Sequence, residues 1–168
     1  TVTFKIRVRD AENGKLDLPD NLLAEADYVV ATIHYGLKQT ERQLTDRLLA
    51  AIDNRWVDAI GHPTGRRLPS RPSYPLDFDV VAKAAANTKC LLEINGSERL
   101  DLPDTLAAAA KAHGVRFVLS TDAHNTRELG FMKFAVAVAR RAWLEAADIL
   151  NTRPLPEFLK GLRRSRNR

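Results

Sequence analysis

Four polar side chains that can bind metals each follow an apolar, strand-like segment of the sequence. They are His34, His62, Asp122 and His124. Because the carboxyl ends of parallel strands lie on one rim of a sheet or barrel, we expect these side chains to lie together there. Asp122 and His124 are two positions apart at a strand end, so both point to the same side and can reach one cation. Imidazole nitrogens and carboxylate oxygens suit zinc, manganese or iron.

Each of these residues also has a structural interpretation. Asp122 can cap the helix that follows it, and His34 can be a hydrogen-bonded residue that only ends a strand. His62 is a better candidate because Pro63 restricts its backbone. It is the combination of all four on one predicted rim that favours a shared site.

Two further residues with reactive side chains are predicted to lie outside the site. His113 precedes Gly114 at the end of an Ala-rich helix, where a histidine interacts favourably with the helix dipole. Cys90 enters an apolar segment and is predicted to be a buried, inert thiol. As the only cysteine, it excludes an internal disulfide and suits a reducing compartment.

The elements that must position these residues alternate along the chain. Phe4, Ile6 and Val8 alternate with basic residues, which is the period of a strand. Further strands are predicted at 28–33, 56–60, 90–94 and 115–119, and helices at 44–52, 78–87, 103–113, 129–142 and 156–162, with a loop at 63–75. This order predicts an α/β fold with parallel strands and helices outside. A barrel and an open doubly wound sheet both fit it.

Composition is that of one globular domain, residues 1–168, because 45% of the residues are hydrophobic and 28% are charged. No apolar run approaches the roughly 20 residues of a membrane helix, and the start is not a signal peptide. The first residue is not Met, so we expect a piece of a longer polypeptide.

Charge bears on the kind of partner. The net charge of +5 is compatible with a polyanionic partner. The basic segment 153–168 fits either a solvated terminus or a phosphate-contacting arm.

Several motifs in this order resemble the later motifs of the PHP (polymerase and histidinol phosphatase) superfamily. They are Ala31–Gly36, Ile60–Arg66, Leu92–Asn95 and Ser120–His124. A second set narrows the resemblance to the PHP domain of bacterial family X DNA polymerases: His62–Arg66, Arg99–Leu102, Ala139–Leu144 and Leu150–Thr152. The resemblance covers roughly residues 16–152.

This resemblance implies a seven-stranded, distorted TIM-like barrel with up to three divalent cations, manganese first and zinc second. It implies phosphoester hydrolysis, with a 3′-5′ exonuclease or DNA end-processing role in repair. DNA and upstream polymerase domains are the implied partners, in the bacterial cytoplasm at the nucleoid. His34, His62, Asp122 and His124 match positions of metal ligands, and Asp122 and His124 are also expected to take part in catalysis. Asn95 matches a position beside the metals.

Three arginines of the 63–75 loop are predicted to contact phosphates: Arg66, Arg67 and Arg71. Arg66 follows His62 closely and could clamp the scissile phosphate through two hydrogen bonds, which would make it part of the catalytic site. The alternative is that it is a solvated loop charge.

The chain also departs from the family pattern. The family's initial His-x-His pair and another histidine ligand have no counterpart here, so we expect them upstream and expect weak metal binding by this segment alone. Arg7 aligns with a family Glu ligand, within about two residues, and an arginine cannot bind a cation. Arg7 could pair with Asp122 instead, which predicts a degenerate site, low or absent nuclease activity even in the full-length protein, and an inactive isolated chain. Alternatively, the strand is shifted and Arg7 faces solvent.

Two other functions therefore stay open beside the nuclease. One is a histidinol-phosphatase-like enzyme that acts on small molecules. The other is a non-catalytic module that positions DNA or the polymerase domains.

Overall fold

A computed structural model describes the backbone of residues 5–10 and the whole of residues 14–163. Its five strands form one sheet in chain order, and each pairs in parallel with the next. They are β1 (Lys5–Asp10), β2 (Tyr28–Ile33), β3 (Ala59–Ile60), β4 (Leu91–Asn95) and β5 (Phe117–Ser120). Six α-helices alternate with or follow them: α1 (Asp20–Glu25), α2 (Glu41–Asp53), α3 (Phe78–Thr88), α4 (Asp104–Ala112), α5 (Met132–Arg141) and α6 (Leu155–Gly161). The predicted α/β class with parallel strands is confirmed.

The two faces of the sheet are buried in different ways, as the period of two requires. One face packs its apolar residues, Ile60 and Phe117 among them, against helices α1 to α5. The other face carries a smaller apolar cluster near the amino ends of the strands. It includes Tyr28 and Val118 and packs against the segment from Leu150 to Leu162. Continuous apolar strands are therefore explained by a sheet that is covered on both sides.

The second face becomes polar towards the carboxyl ends of the strands. Thr32 and Glu93 lie there, two positions after Val30 and Leu91 of the apolar cluster, and both are buried. Gly61 keeps this region tight, because an added Cβ would lie 2.7 Å from Cγ2 of Thr32. A polar, densely packed layer thus forms at the carboxyl ends of the strands. The predicted metal ligands come directly after these strand ends.

The helices begin where the sequence supplies capping groups. The Thr40 hydroxyl accepts from the Gln43 backbone N–H, and the Gln43 side chain accepts from the Thr40 N–H, which forms a capping box at the start of α2. Asp77 caps α3 by accepting from the Val80 N–H. These contacts satisfy backbone donors that a helix start leaves open.

The structure corrects two predicted boundaries and adds one helix. The predicted strand 56–60 contains only Ala59–Ile60 as β3, because only these two residues pair with both β2 and β4. The predicted helix 129–142 is divided into a 3-10 helix, Thr126–Phe131, and α5. Helix α1 was not predicted. Among the described residues, no helix is long and apolar enough to span a bilayer.

Arg163, the last described residue of the basic segment, lies away from the carboxyl ends of the strands. Arg163 donates to the Ile52 carbonyl oxygen at 2.7 Å and to the Asn54 carbonyl oxygen. Both carbonyls lie at the end of α2, before β3 begins, whereas His62 follows β3. Arg163 is therefore a structural cap at the opposite end of the sheet, and Arg164, Arg166 and Arg168 lie outside the described residues.

Candidate functional site

The structure brings His34 and His62 together at the carboxyl ends of β2 and β3. Their ring centroids are 5.1 Å apart, at an interplanar angle of 60°. Both ring nitrogens of His62 and Nε2 of His34 are shielded from solvent. His62 adopts a φ of 34°, in a region that a residue with a side chain rarely occupies. The surrounding contacts hold it there.

Glu93 makes one of these contacts, and it is not among the site residues predicted from the sequence. It is 1% exposed, on the polar layer of β4. Its Oε2 accepts from the His62 backbone N–H at 2.7 Å and from Asn95 Nδ2 at 3.3 Å, and its Oε1 accepts from the Ser120 hydroxyl. The carboxyl group therefore joins the ends of β3, β4 and β5. The sequence feature that could have pointed to Glu93 is its charge within an otherwise apolar strand.

Asn95 lies at the same end of the sheet as the histidines and acts as a connector. Its side chain donates to Glu93 and accepts from the Ser97 N–H at 3.0 Å. Both groups of the amide are thereby engaged in holding the β4 end and the loop after it.

Asp122 and His124 follow β5 and line one cavity of about 510 Å³. Arg99 also lines it, and its Nε lies 3.6 Å from Oδ2 of Asp122. The His124 side chain is 80% exposed, and its Nδ1 lies 3.9 Å from Oε2 of Glu128. Asp122 has a φ of 51°, which an aspartate tolerates better than most residues. The two side chains thus line one cavity at the end of β5, and their binding of one cation stays a prediction.

The four predicted ligands form two pairs at the same edge of the sheet. In the part of the chain that the structure describes, no three His, Cys, Asp or Glu side chains form a group that could hold a metal ion. The donors are of a suitable type, because buried imidazole nitrogens and a carboxylate suit zinc or manganese. Their number around any one position is too small, so the described residues do not form a complete metal site by themselves.

Arg66 is oriented by the loop that follows β4. Its Nε donates to the Arg99 carbonyl oxygen at 3.0 Å and its Nη2 donates to the Leu100 carbonyl oxygen. Leu100 has a φ of 41°, which is strained for a bulky residue, and the two bonds help to fix it. The predicted phosphate clamp would need both bonds to be replaced, so that role stays a prediction.

The two other loop arginines lie near the same cavity. Arg67 lines it and pairs with Glu98. Arg71 donates from Nε to the Gly65 carbonyl oxygen at 2.8 Å. Partial burial lowers the pKa of Arg71, and the positive charges of Arg99 and Arg67 lower it further. The loop therefore concentrates positive charge beside Asp122.

A buried aspartate, Asp101, holds the loop that follows β3 through hydrogen bonds. Asp101 accepts from the backbone N–H of Thr64 at 3.1 Å and from its hydroxyl at 3.0 Å. Burial raises the pKa of Asp101 to about 7, although the hydrogen bonds from Thr64 act in the opposite direction. Asp101 thereby links the loop after β3 to the loop after β4.

The residues predicted to lie outside the site do so. His113 is the C-terminal cap of α4, and its Nε2 lies 2.8 Å from Oδ1 of Asp79. Cys90 is buried, and burial raises its pKa to about 12. Arg7 pairs with Val30 in the register of β1 and β2. Its side chain lies outside the described residues, so its predicted replacement of a ligand stays a prediction.

Comparison with known proteins gives relatives of two kinds. The chain is 40% identical over 154 residues to the DNA polymerase/3′-5′ exonuclease PolX of Bacillus subtilis, covering 91% of this chain and 27% of that protein. It is 31% identical over 165 residues to a probable phosphatase of Thermoanaerobacter sp. (strain X514), covering 91% of this chain and 65% of the relative. A probable phosphatase of Clostridium acetobutylicum is 31% identical over 166 residues, covering 92% of this chain and 66% of the relative.

The chain thus spans about a quarter of the polymerase relative and just under two thirds of these phosphatases. No family model matches it. The shared region includes the strand ends described above, since it covers nine tenths of the chain. The chain belongs to the PHP family, as the C-terminal part of a PHP domain of the kind found in bacterial family X DNA polymerases.

Proposed function

We propose that this chain is part of the phosphoesterase module of a family X DNA polymerase, with a 3′-5′ exonuclease or DNA end-processing role in repair. The observation that supports it most is that the His34–His62 pair and the cavity lined by Asp122 and His124 both follow the carboxyl ends of strands in one parallel sheet. The similarity to a polymerase/exonuclease supports the choice of DNA as substrate. A complete PHP barrel in the bacterial cytoplasm is part of the same proposal.

Hydrolysis of a phosphodiester at neutral pH needs an activated water and stabilisation of the leaving oxygen. A divalent cation supplies both when it is bound, because it lowers the pKa of its water ligand. His34, His62, Asp122 and His124 are the residues of this chain that would hold manganese or zinc. The remaining ligands, and the polymerase domains, would come from other parts of the same polypeptide.

The residues around these donors keep them oriented. Glu93 fixes the backbone of His62, and the ring nitrogens of His62 are already shielded from water. Pre-oriented donors lose less freedom when they bind a ligand. Arg67 and Arg71 add positive charge near the cavity, which attracts a polyanion.

A second candidate is a phosphatase that acts on small phosphomonoesters. It is favoured by the two probable phosphatases, since the chain matches a larger share of their length than of the polymerase relative. The cavity beside Asp122 is large enough for a small ligand, at about 510 Å³.

A substrate series distinguishes the two candidates. The intact protein would be assayed with manganese on 3′-labelled oligonucleotides of increasing length and on small phosphomonoesters. We expect hydrolysis of the oligonucleotides, with kcat/KM increasing with length. Faster hydrolysis of the small esters would support the phosphatase instead, and no hydrolysis of either class would support a non-catalytic module.

A further inference from the structure

The guanidinium of Arg99 lies next to Asp122, one of the four proposed metal ligands. Nε of Arg99 is 3.6 Å from Oδ2 of Asp122, and the side chains are only 15% and 16% exposed. Because both groups are largely removed from solvent, their charges are less screened than those of a surface pair. Arg99 therefore provides positive charge where a cation is expected to bind.

The backbone around Arg99 is fixed, whereas its guanidinium is held mainly by charge. Arg66 donates to the carbonyl oxygens of Arg99 and Leu100, and the loop is anchored again where Asp101 accepts from Thr64. In contrast, Nη1 of Arg99 is buried with no hydrogen-bond partner among the described residues. Nη1 therefore contributes no hydrogen bond that would have to break if the head group left Asp122.

A divalent cation and this guanidinium cannot share Asp122 without cost. Arginine stays protonated in proteins and offers only donors, so it cannot act as a metal ligand or lose its charge as a cation approaches. The two positive charges would repel each other at close range. Metal binding at Asp122 must therefore displace Arg99 or be weakened by it.

We propose that Arg99 is a built-in competitor that occupies Asp122 in the metal-free protein and lowers its affinity for divalent cations. This inference rests on the proposed function, because it takes Asp122 as a metal ligand. Arg66 acts as the positioning residue that directs Arg99 to Asp122.

The test is a calorimetric titration of the intact protein with manganese chloride in the absence of any substrate. Arg99→Gln and Arg99→Met both remove the charge while keeping much of the side chain. We expect each to tighten manganese binding by about tenfold or more, since a unit charge near the ligand is removed. Arg99→Lys keeps the charge and should bind manganese within about twofold of the wild type.

Arg67→Gln is the matched control, because Arg67 lines the same cavity but pairs with Glu98. It should change the affinity by less than about threefold, as an exposed and screened charge would. Thermal unfolding would show that both neutral Arg99 variants are folded. Manganese binding that is unchanged or weaker in both of them would then overturn the proposal. An equal gain in Arg67→Gln would also overturn it.

The use of two neutral variants protects the test against a folding failure in one of them. The readout is also independent of the proposed activity. If the protein hydrolyses no phosphoester, the proposed function fails, but a tenfold gain in manganese affinity would still support competition at Asp122.

Discussion

The carboxyl group of Glu93 accepts a hydrogen bond from the backbone N–H of His62 at 2.7 Å. The contact joins the middle of one strand to the loop that follows its neighbour. It holds His62 at a φ of 34°, a value that the chain would not adopt without support. The geometry of the candidate site therefore depends on a residue in the polar layer beneath it.

Replacement of Glu93 by Ala should destabilise the protein strongly. It would leave the His62 N–H, Asn95 Nδ2 and the Ser120 hydroxyl without their acceptor. The first two donors are buried, and a buried donor without a partner costs about 1–3 kcal/mol, so a total loss of at least about 2 kcal/mol is expected. Urea unfolding measures it. Glu98→Ala, which removes an exposed carboxyl group, should cost less than about 1 kcal/mol, and equal losses would contradict the role of Glu93.

Asp101 should make stability depend on pH. Its pKa is about 7 in the folded protein, above its usual value of 3.8, so the folded state binds the proton more tightly. The resulting stability is fully present below the unfolded pKa and is lost as pH rises through about 7. Asp101→Asn mimics the protonated form and lacks this dependence.

Unfolding of both proteins should be compared at about pH 5 and about pH 8.5. We expect the wild type to lose stability relative to Asp101→Asn between these values, by about 1.4 kcal/mol for each unit of pKa difference traversed. A difference between the two proteins that does not change with pH would show that Asp101 is not protonated at neutral pH in the fold.

The loop and the C-terminal arginines should contribute differently to DNA binding. Arg67 lies at the proposed site, whereas Arg163 caps α2 at the other end of the sheet. Arg67→Ala should reduce the slope of log affinity against log salt by about 1, the amount expected for one lost phosphate contact. Arg163→Ala should leave the slope unchanged and lower the stability. Fluorescence anisotropy with labelled DNA over a salt series checks both variants. A slope reduced by Arg163→Ala and unchanged by Arg67→Ala would place DNA at the amino ends of the strands instead.

Cys90 should not react in the folded protein. Its thiol is buried and has a pKa of about 12, so almost no thiolate is present at about pH 8. Labelling with iodoacetamide, followed by mass spectrometry, should be slow in buffer and fast in urea. Rapid labelling of the native protein would mean that the strand around Cys90 opens easily.

Much of the fold could be predicted because its signals are local. Apolar runs indicated β2 and β4, and the spacing of Leu44, Leu48 and Ile52 indicated α2. The short length of β3 could not be predicted, because it is set by which residues pair with β2 and β4. That pairing depends on the tertiary structure and has no local signature.

The position of the candidate site at the strand ends could be predicted, but the contacts that hold its side chains could not. The rule that polar residues follow parallel strands predicted that His34, His62, Asp122 and His124 lie together. The structure has His34 close to His62 and has Asp122 and His124 lining one cavity, and a single site shared by all four stays a prediction. The roles of Glu93 and Arg99 were missed, because each depends on a contact with a residue far along the chain. Arg66 was assigned from its charge and its closeness to His62, whereas its orientation is set by two loop carbonyls.

The most direct test of the account is the release of 3′-terminal nucleotides from a labelled oligonucleotide by the intact protein with manganese. We expect release, even if it is slow, that His62→Ala reduces by at least about a hundredfold, the size of effect typical of lost support for a catalytic metal. His113→Ala should retain the rate, because His113 lies on the exterior against Asp79. Equal rates for His62→Ala and the wild type, or no release by any of the three proteins, would contradict the proposed phosphoesterase site.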